Sequence, residues 1–471
     1  MAQAYPETLE QSLSLLREAT RNTSYEGTLY LVGGLIRDRE LGSTLASDLD
    51  IVLEGDAVAL VHFLHRKGIT QHVPVTYPRF GTAMVHIGHR HHPGIQVEFV
   101  SARAESYQSD SRKPHVRQGT LKEDAFRRDF TLNTLMENLH TGEILDLTGK
   151  GRDDLKQGII RTPLDPRITF YDDPLRMLRA IRFGARFGFQ IAPETWEAMQ
   201  SEAYRLAPPA ISQERIRDEF VKIILLSGKR FRQGMELLLE AQLLPLFLPE
   251  MLPMIDCTQG SWHPYDVWKH TLVALEALPD SAPFAVRLAL LWHDIGKPNT
   301  RTEENGIIRF TNHPKVGAEI VQRRMTLLKF PNEEIKDVVA LVRMHMRLGE
   351  YRPDWTDASI RRLIRETHPY LEDLFLLTEC DRSAVRIPPD LAADLVGLRA
   401  RVEAQNALMN VAEVISPLNG DRIMELLGIP PGITLKNAKE FLTNQVLEGN
   451  LKQYDQEGAA ALLLEWWQKQ H

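Results

Sequence analysis

At 471 residues the chain is too long for one compact core, and its 43% hydrophobic and 25% charged residues are those of an ordinary globular protein of two to four domains. Two cysteines exclude a disulfide framework, the N-terminal stretch MAQAYPETLEQSLSLLREAT lacks the basic start and apolar core of a secretory signal, and no apolar run reaches the ~20 residues of a membrane span. A cytoplasmic protein without a membrane partner is expected. A net charge of −7 argues against a uniformly basic nucleic-acid binder, but arginine concentrated in 112–128 and 176–186 leaves room for a local basic groove.

Taken in chain order, residues 28–33, 48–54, 81–88 and 95–100 read as short strands, with a helix over 56–67 and a hairpin loop at 88–94. The stretch LVGGLIRDRELGSTLASDLD, Leu31 to Asp50, reads as strand, Gly-Gly turn, short helix and second strand. Asp48 and Asp50 are two apart and project to one side of that strand, beside Gly33, Gly34 and Arg37. A lone Gly-Gly or Asp-x-Asp is usually a turn and a solvated edge. Paired carboxylates next to a glycine turn instead suit Mg²⁺ held together with substrate phosphates. Glu98, on the strand IQVEFV, is the candidate third carboxylate. The segment 103–122 reads as a long, Ser/Arg-rich mobile loop.

In EDAFRRDFTLN, 123–133, Arg128 is positioned to grip phosphate oxygens with its planar fork. Asp129 and Asn133, four apart, are expected on one helix face within reach of a ribose hydroxyl. In YDDPLRMLRAIRFGARFGF, 171–189, Asp173 and Pro174 start a helix. Arg176, Arg179, Arg182 and Arg186 form one stripe on it, and Leu175, Leu178, Ile181 and Ala185 an apolar one. From about 172 onward strand signals vanish and helical periodicity dominates. The expected fold is therefore α+β, a head with a small mixed sheet followed by an all-helical body.

In order, GGxxRD with DxD, RRDFTxN, DLTGKGRDDL (146–155), DDxxR and ERIRDEF (214–220) resemble the class II tRNA nucleotidyltransferases, which include the CCA-adding enzymes and bacterial poly(A) polymerases. The resemblance covers residues 28–250 and implies a polymerase-β-like head over 1–162 and a helical, nucleotide- and RNA-binding neck over 163–250. It implies Mg²⁺ on Asp48 and Asp50, triphosphate at Gly33, Gly34, Arg37 and Arg128, and further nucleotide contacts from Arg179 and Arg182. The incoming base would be read by Asp173 and Arg176. Cytosine and adenine each offer an amino donor beside a ring-nitrogen acceptor, whereas uracil and guanine present the reverse. A carboxylate plus a guanidinium therefore accepts C and A and leaves buried groups unpaired against U and G. The implied partners are tRNA, through its acceptor stem and 3′ end, with ATP and CTP. Three small departures from the family stand out: Asp172 in place of the commoner Glu, and Leu132 and Thr134 in place of Ile and Ala.

Further on, His270, His293 with Asp294, His313, His345 and Asp381 follow in an order that resembles the HD phosphohydrolase superfamily. The resemblance implies an HD-type helical domain over 251–386 carrying a second divalent metal, Mg²⁺, Ni²⁺ or Mn²⁺. Residues 387–471 remain as a helical tail, with Pro-Pro-Gly punctuation at 430–432 and Trp466–Trp467 near the end. The expected activity is addition of C and/or A to the tRNA 3′ terminus without a template. The rivals are an A-only or a CC-only tRNA enzyme, a poly(A) polymerase, an HD phosphohydrolase with a regulatory head, and a non-catalytic RNA-binding protein. The sequence carries no signal of oligomeric state.

Overall fold

The structure, a computed structural model, describes residues 5–42, 49–88, 94–108, 111–207, 211–260, 263–386, 394–408 and 410–470, with backbone only for 104–108 and 111–116. Two compact units divide it, one formed by residues 1–223 and 233–249 and the other by 224–232 and 250–471. Among the described residues no helix is long and apolar enough to cross a membrane.

The first unit is built on a seven-stranded sheet. Its strands are β1 (Leu29–Val32), β2 (Leu49–Leu53), β3 (Val75–Tyr77), β4 (Thr82–Ile87) and β5 (Ile95–Ser101). A separate hairpin, β6 (Arg103–Gln108) and β7 (Ser111–Gln118), follows, before β8 (Met136–Asn138) and β9 (Ile144–Leu145) complete the sheet. The order is β3-β4-β5-β2-β1-β8-β9, with β2 and β5 parallel and the other neighbours antiparallel. Side chains alternate across a strand. One face therefore carries Ile51, Leu53, Ala83, Val85, Val97 and Phe99, all buried. The helices Glu7–Thr20 and Ala57–Arg66 cover that face with their apolar stripes, Leu9, Leu13 and Leu16, and Leu60, Val61 and Leu64. Asp56 starts the second of these as a proper N-cap, accepting from Val58 and Ala59 N–H. The opposite face of β1 and β2 buries Val32 and Val52 against Ala102, Ala125 and Met136. The opposite face of β5, β4 and β3 is left only partly covered.

Three expectations fail locally. The segment 103–118 pairs as β6 and β7 rather than running as a loop. Strand pairing persists beyond residue 172, in Gln190–Ile191 beside Ile159–Ile160 and in the hairpin Arg301–Glu304 with Ile307–Phe310. Those pieces are two to four residues long, too short for a period-of-two signal to register against helical neighbours. Asp129 and Asn133 do not share an α-helix, because the helix starting at Leu121 ends at Phe126 and a single 3₁₀ turn holds Thr131–Asn133. The hairpin position at 88–94 joins antiparallel β4 and β5, although residues 89–93 lie outside the described residues.

Among its described residues the second unit is helical apart from the hairpin Arg301–Glu304 with Ile307–Phe310. Helices Val267–Glu276, Phe284–Trp292, His313–Leu327, Asn332–Met344 and Leu371–Arg382 pack around Trp292, Leu288, Val321, Val338 and Phe375. Arg287, which interrupts an apolar run in the sequence, is buried there. Its guanidinium donates to five backbone carbonyls, those of Ile224, Leu226, Pro279, Asp280 and Ala282. The tail follows as further helices, and Pro430-Pro431-Gly432 falls between Gly420–Leu427 and Ile433–Glu448. Trp466 stacks on Phe441 with ring centroids 5.0 Å apart.

Candidate functional site

Strand register sets the acidic centre. Val32 at the end of β1 lies opposite Asp50 on β2, and Asp50 lies opposite Glu98 on β5. Asp50 and Glu98 thus share the partly covered face, side by side. Asp48 lies outside the described residues. Gly33 turns the chain with φ +77 and ψ −137, a region that only glycine adopts readily, and a Cβ there would stand 3.5 Å from Asp50 Oδ2. The glycine turn therefore lays backbone directly against the carboxylate.

A cavity of about 500 Å³ opens at this point. Its lining brings together Gly33, Gly34, Arg37 and Asp50 from the head, Arg127, Arg128, Asp129 and Asn133 from the RRD motif, and Asp173, Arg176, Arg179, Arg182, Arg186 and Arg215 from beyond it. The arginine stripe of the helix Leu175–Phe187 is thus a cavity wall and not a solvated face. Asp173 precedes the helix and accepts from the Leu175 N–H at 3.2 Å.

The arginines are held by a continuous network. Asp124, fully buried, takes Arg127 on Oδ1 at 2.6 Å and Arg128 on Oδ2 at 2.9 Å. Asp129 accepts from Phe130 N–H, from Asn133 Nδ2 at 2.9 Å and from Arg179 at 2.6–2.7 Å. Burial by itself would raise the Asp129 pKa, but Arg179 and the Asn133 hydrogen bond outweigh it and hold the group at about 2. Glu219 receives Arg182 at 2.8 Å and Lys222 at 2.8 Å. Arg176 donates to the Arg127 carbonyl at 2.7 Å, which ties the helix Leu175–Phe187 to the segment that carries Arg127 and Arg128.

Arg37, expected on a triphosphate, lines the cavity and has protein partners as well. It is buried, donates from Nε to Asp38 at 2.7 Å and from Nη1 to Asn133 Oδ1 at 2.7 Å, and its guanidinium lies 5.0 Å from the rings of both Phe183 and Phe187. In this structure it braces the cavity wall. Asp129 and Asn133 are likewise engaged with protein partners.

Sequence reasoning missed Arg215 at the cavity and the buried acids that hold its arginines. Asp124 is three and four residues before Arg127 and Arg128, a spacing that could have been read as their shared anchor. Arg215 and Glu219 lie in the quoted ERIRDEF motif, but nothing local says that Arg215 donates to Asp173 Oδ2 at 2.8 Å or Glu219 to which arginine it belongs.

The six expected HD residues do converge, as two triads. His270 Nε2, His293 Nε2 and Asp381 Oδ1 lie 2.8–3.3 Å apart. His313 Nε2 and His345 Nε2 are 3.2 Å apart and 3.4 and 3.7 Å from Asp294 Oδ1. Asp294 Oδ2 faces the first triad, 3.2 Å from His293 and 3.5 Å from His270. His293, His313 and His345 each donate Nδ1–H to a carbonyl of the preceding turn, at 2.7–2.8 Å, which turns the Nε2 lone pairs inward. Converging lone pairs and carboxylates at these distances need a proton or a cation between them, so the donor set fits a divalent metal at each triad, with one Asp294 oxygen facing each. Burial disfavours the charged imidazole of His293, but Asp294 and Asp381 raise it to about 10, while burial and His293 depress His345 to about 3. Lys297 Nζ sits 2.7 Å from Asp294 Oδ2 and 2.6 Å from Gln259. A cavity of about 660 Å³ opens from the second triad, lined also by Lys297, Arg309, Phe310 and Arg352.

Three stretches match described families: a Poly A polymerase head domain over residues 29–161, a probable RNA and SrmB-binding site of polymerase A over 188–255, and an HD domain over 262–383. The chain is 34% identical to a CC-adding tRNA nucleotidyltransferase of Thermus thermophilus over 358 residues, 74% of this chain and 78% of the relative. It is 34% identical to an A-adding tRNA nucleotidyltransferase of Deinococcus radiodurans over 323 residues, 66% of this chain and 72% of that one. It is 32% identical to a multifunctional CCA protein of Tolumonas auensis over 327 residues, 67% and 73% of the two chains. Its fold is that of the Bacillus stearothermophilus CCA-adding enzyme, solved in complex with CTP, at a TM-score of 0.69 and 22% identity over 99% of each chain.

Proposed function

The chain belongs to the tRNA nucleotidyltransferase and poly(A) polymerase family, and on that premise we propose that it adds C and/or A residues to the tRNA 3′ end from CTP and ATP, without a template, in the cytoplasm. The observation that carries this reading is the single cavity where the Gly33 turn, Asp50, the Arg127–Arg128 pair and the Asp173–Arg176 pair meet.

Asp48 and Asp50 would hold Mg²⁺, with Glu98 as the adjoining acid. Bound there, Mg²⁺ would supply Lewis acidity to the attacking hydroxyl and positive charge to the leaving pyrophosphate. Arg127 and Arg128, held by Asp124, direct their guanidinium charge toward the triphosphate oxygens. Asp173 accepts from the exocyclic amine of C or A, and Arg176 donates to the adjoining ring nitrogen. The new bond forms between the tRNA 3′ oxygen and the α-phosphorus. The α–β bridging bond breaks, pyrophosphate leaves, and the hydroxyl proton passes to solvent. Helices of the neck and beyond hold the acceptor stem by shape and backbone contacts.

The test is incubation with three tRNA transcripts, ending before the first C, after CC and after CCA, each offered labelled CTP or ATP. Incorporation of C or A on the first two, lost in Asp50→Asn, is the expected outcome, and the pattern assigns CCA, CC-only or A-only addition. Tailing of any RNA with ATP alone would favour the poly(A) polymerase instead. Failure on all transcripts would overturn the reading.

The two His/Asp triads favour a second activity, hydrolysis of a phosphoester. His270, His293 and Asp381, and His313, His345 and Asp294, would hold divalent ions, Mg²⁺, Ni²⁺ or Mn²⁺. Lys297, Arg309 and Arg352 supply positive charge at the adjoining cavity.

A further inference from the structure

The carboxylate face of the sheet continues well past Glu98. Residues directly opposite one another in neighbouring strands project to the same side. Glu98 lies opposite Met84, Val100 opposite Thr82, and Thr82 opposite Tyr77, while Val75 lies opposite Met84. One face therefore runs from Asp50 through Glu98, Met84 and Thr82 to Tyr77 at the edge strand β3. The other face of these strands is buried, whereas Tyr77 is 46% and the neighbouring Phe80 51% exposed. Arg103 Nη1 donates to the Phe80 carbonyl at 3.2 Å, which fixes the turn that presents this ring.

A second cavity, about 190 Å³, lies on this side and is lined by Val32, Asp50, Thr82, Glu98, Val100, Arg103, Arg127 and Arg128. It shares Asp50, Arg127 and Arg128 with the nucleotide cavity. The base-reading pair Asp173 and Arg176 lines only the first. In-line displacement requires the attacking oxygen to approach the phosphorus from the side opposite the leaving group. With the incoming nucleotide in the first cavity, the second is the one left for the nucleophile.

We infer that the second cavity and the open face beyond it bind the priming end of the RNA: the terminal ribose lies against Thr82 and Glu98, and its unpaired bases stack on Tyr77 and Phe80. Single-stranded RNA suits this surface, because every base has a π face to lay on an exposed ring. The inference rests on the nucleotidyl-transfer reading above.

Single-nucleotide addition to a transcript lacking only its last residue tests it. The double variant Tyr77→Ala/Phe80→Ala is expected to lose about tenfold in kcat/KM for tRNA, with the KM for the nucleotide held within about twofold. Tyr77→Phe keeps the ring and should retain the parent value. A photoreactive 4-thiouridine at the penultimate position of the transcript should crosslink to residues 75–86 in the unmodified protein, a readout independent of how the variants fold. An unchanged kcat/KM for tRNA, or crosslinks confined to other segments, overturns the inference while Asp50→Asn still abolishes incorporation. Incorporation that survives Asp50→Asn removes both readings together.

Discussion

Asp129→Asn probes the network that holds the nucleotide cavity. The carboxylate is buried, accepts from Phe130 N–H, Asn133 and Arg179, and is held at about 2 against an ordinary 3.8. That difference corresponds to about 2 kcal/mol in favour of the ionised form in the folded protein. The amide removes the charge opposite Arg179 and turns an N–H₂ toward groups that themselves donate, so the total cost is about 2–3 kcal/mol. For a unit of this size the melting temperature should fall by about 5–10 °C. The pH dependence follows from the sign. A depressed folded pKa stabilises the protein above the unfolded value, and this contribution is lost as pH falls from about 4 toward about 2. The gap in urea midpoint between parent and variant, followed by circular dichroism, should thus be full at pH 5 and narrow toward pH 3. The variant should also raise the nucleotide KM, because Arg179 loses its anchor. A melting temperature within about 1 °C of the parent, with an unaltered KM, would refute the argument that Asp129 organises this wall.

Arg176→Ala should lower discrimination of C and A against U and G by about tenfold or more, measured by competitive incorporation, while metal dependence is unchanged. Arg287→Met leaves several buried carbonyls without their donor and should destabilise the second unit by about 3 kcal/mol, read from hydrogen exchange or thermal melting, with little change in nucleotide KM. Asp294→Asn should abolish divalent metal bound by the His/Asp cluster, measured by elemental analysis of purified protein, and with it any phosphoesterase activity, yet leave nucleotide addition intact. Retention of full metal content would show that Asp294 does not hold the metal.

Local pattern carried much of this protein's description. The Gly-Gly turn before Asp50, the arginine stripe from Arg176 to Arg186, and the order of the His and Asp residues are all legible in sequence. Each rests on a residue's own backbone preference or on a helical or strand period. The family resemblance was legible for the same reason, since its motifs are short and ordered.

Partner choice was not legible. The parallel register that sets Glu98 beside Asp50, the shared anchoring of Arg127 and Arg128 on Asp124, the Arg215–Asp173 pair, and the capture of Arg37 between Phe183 and Phe187 were decided by the tertiary structure. So was the division of six ligands into two triads. These arrangements depend on which strands and helices pack together, and that choice is made by burying apolar faces over long sequence separations. A local period says which face a side chain occupies but not what stands opposite it.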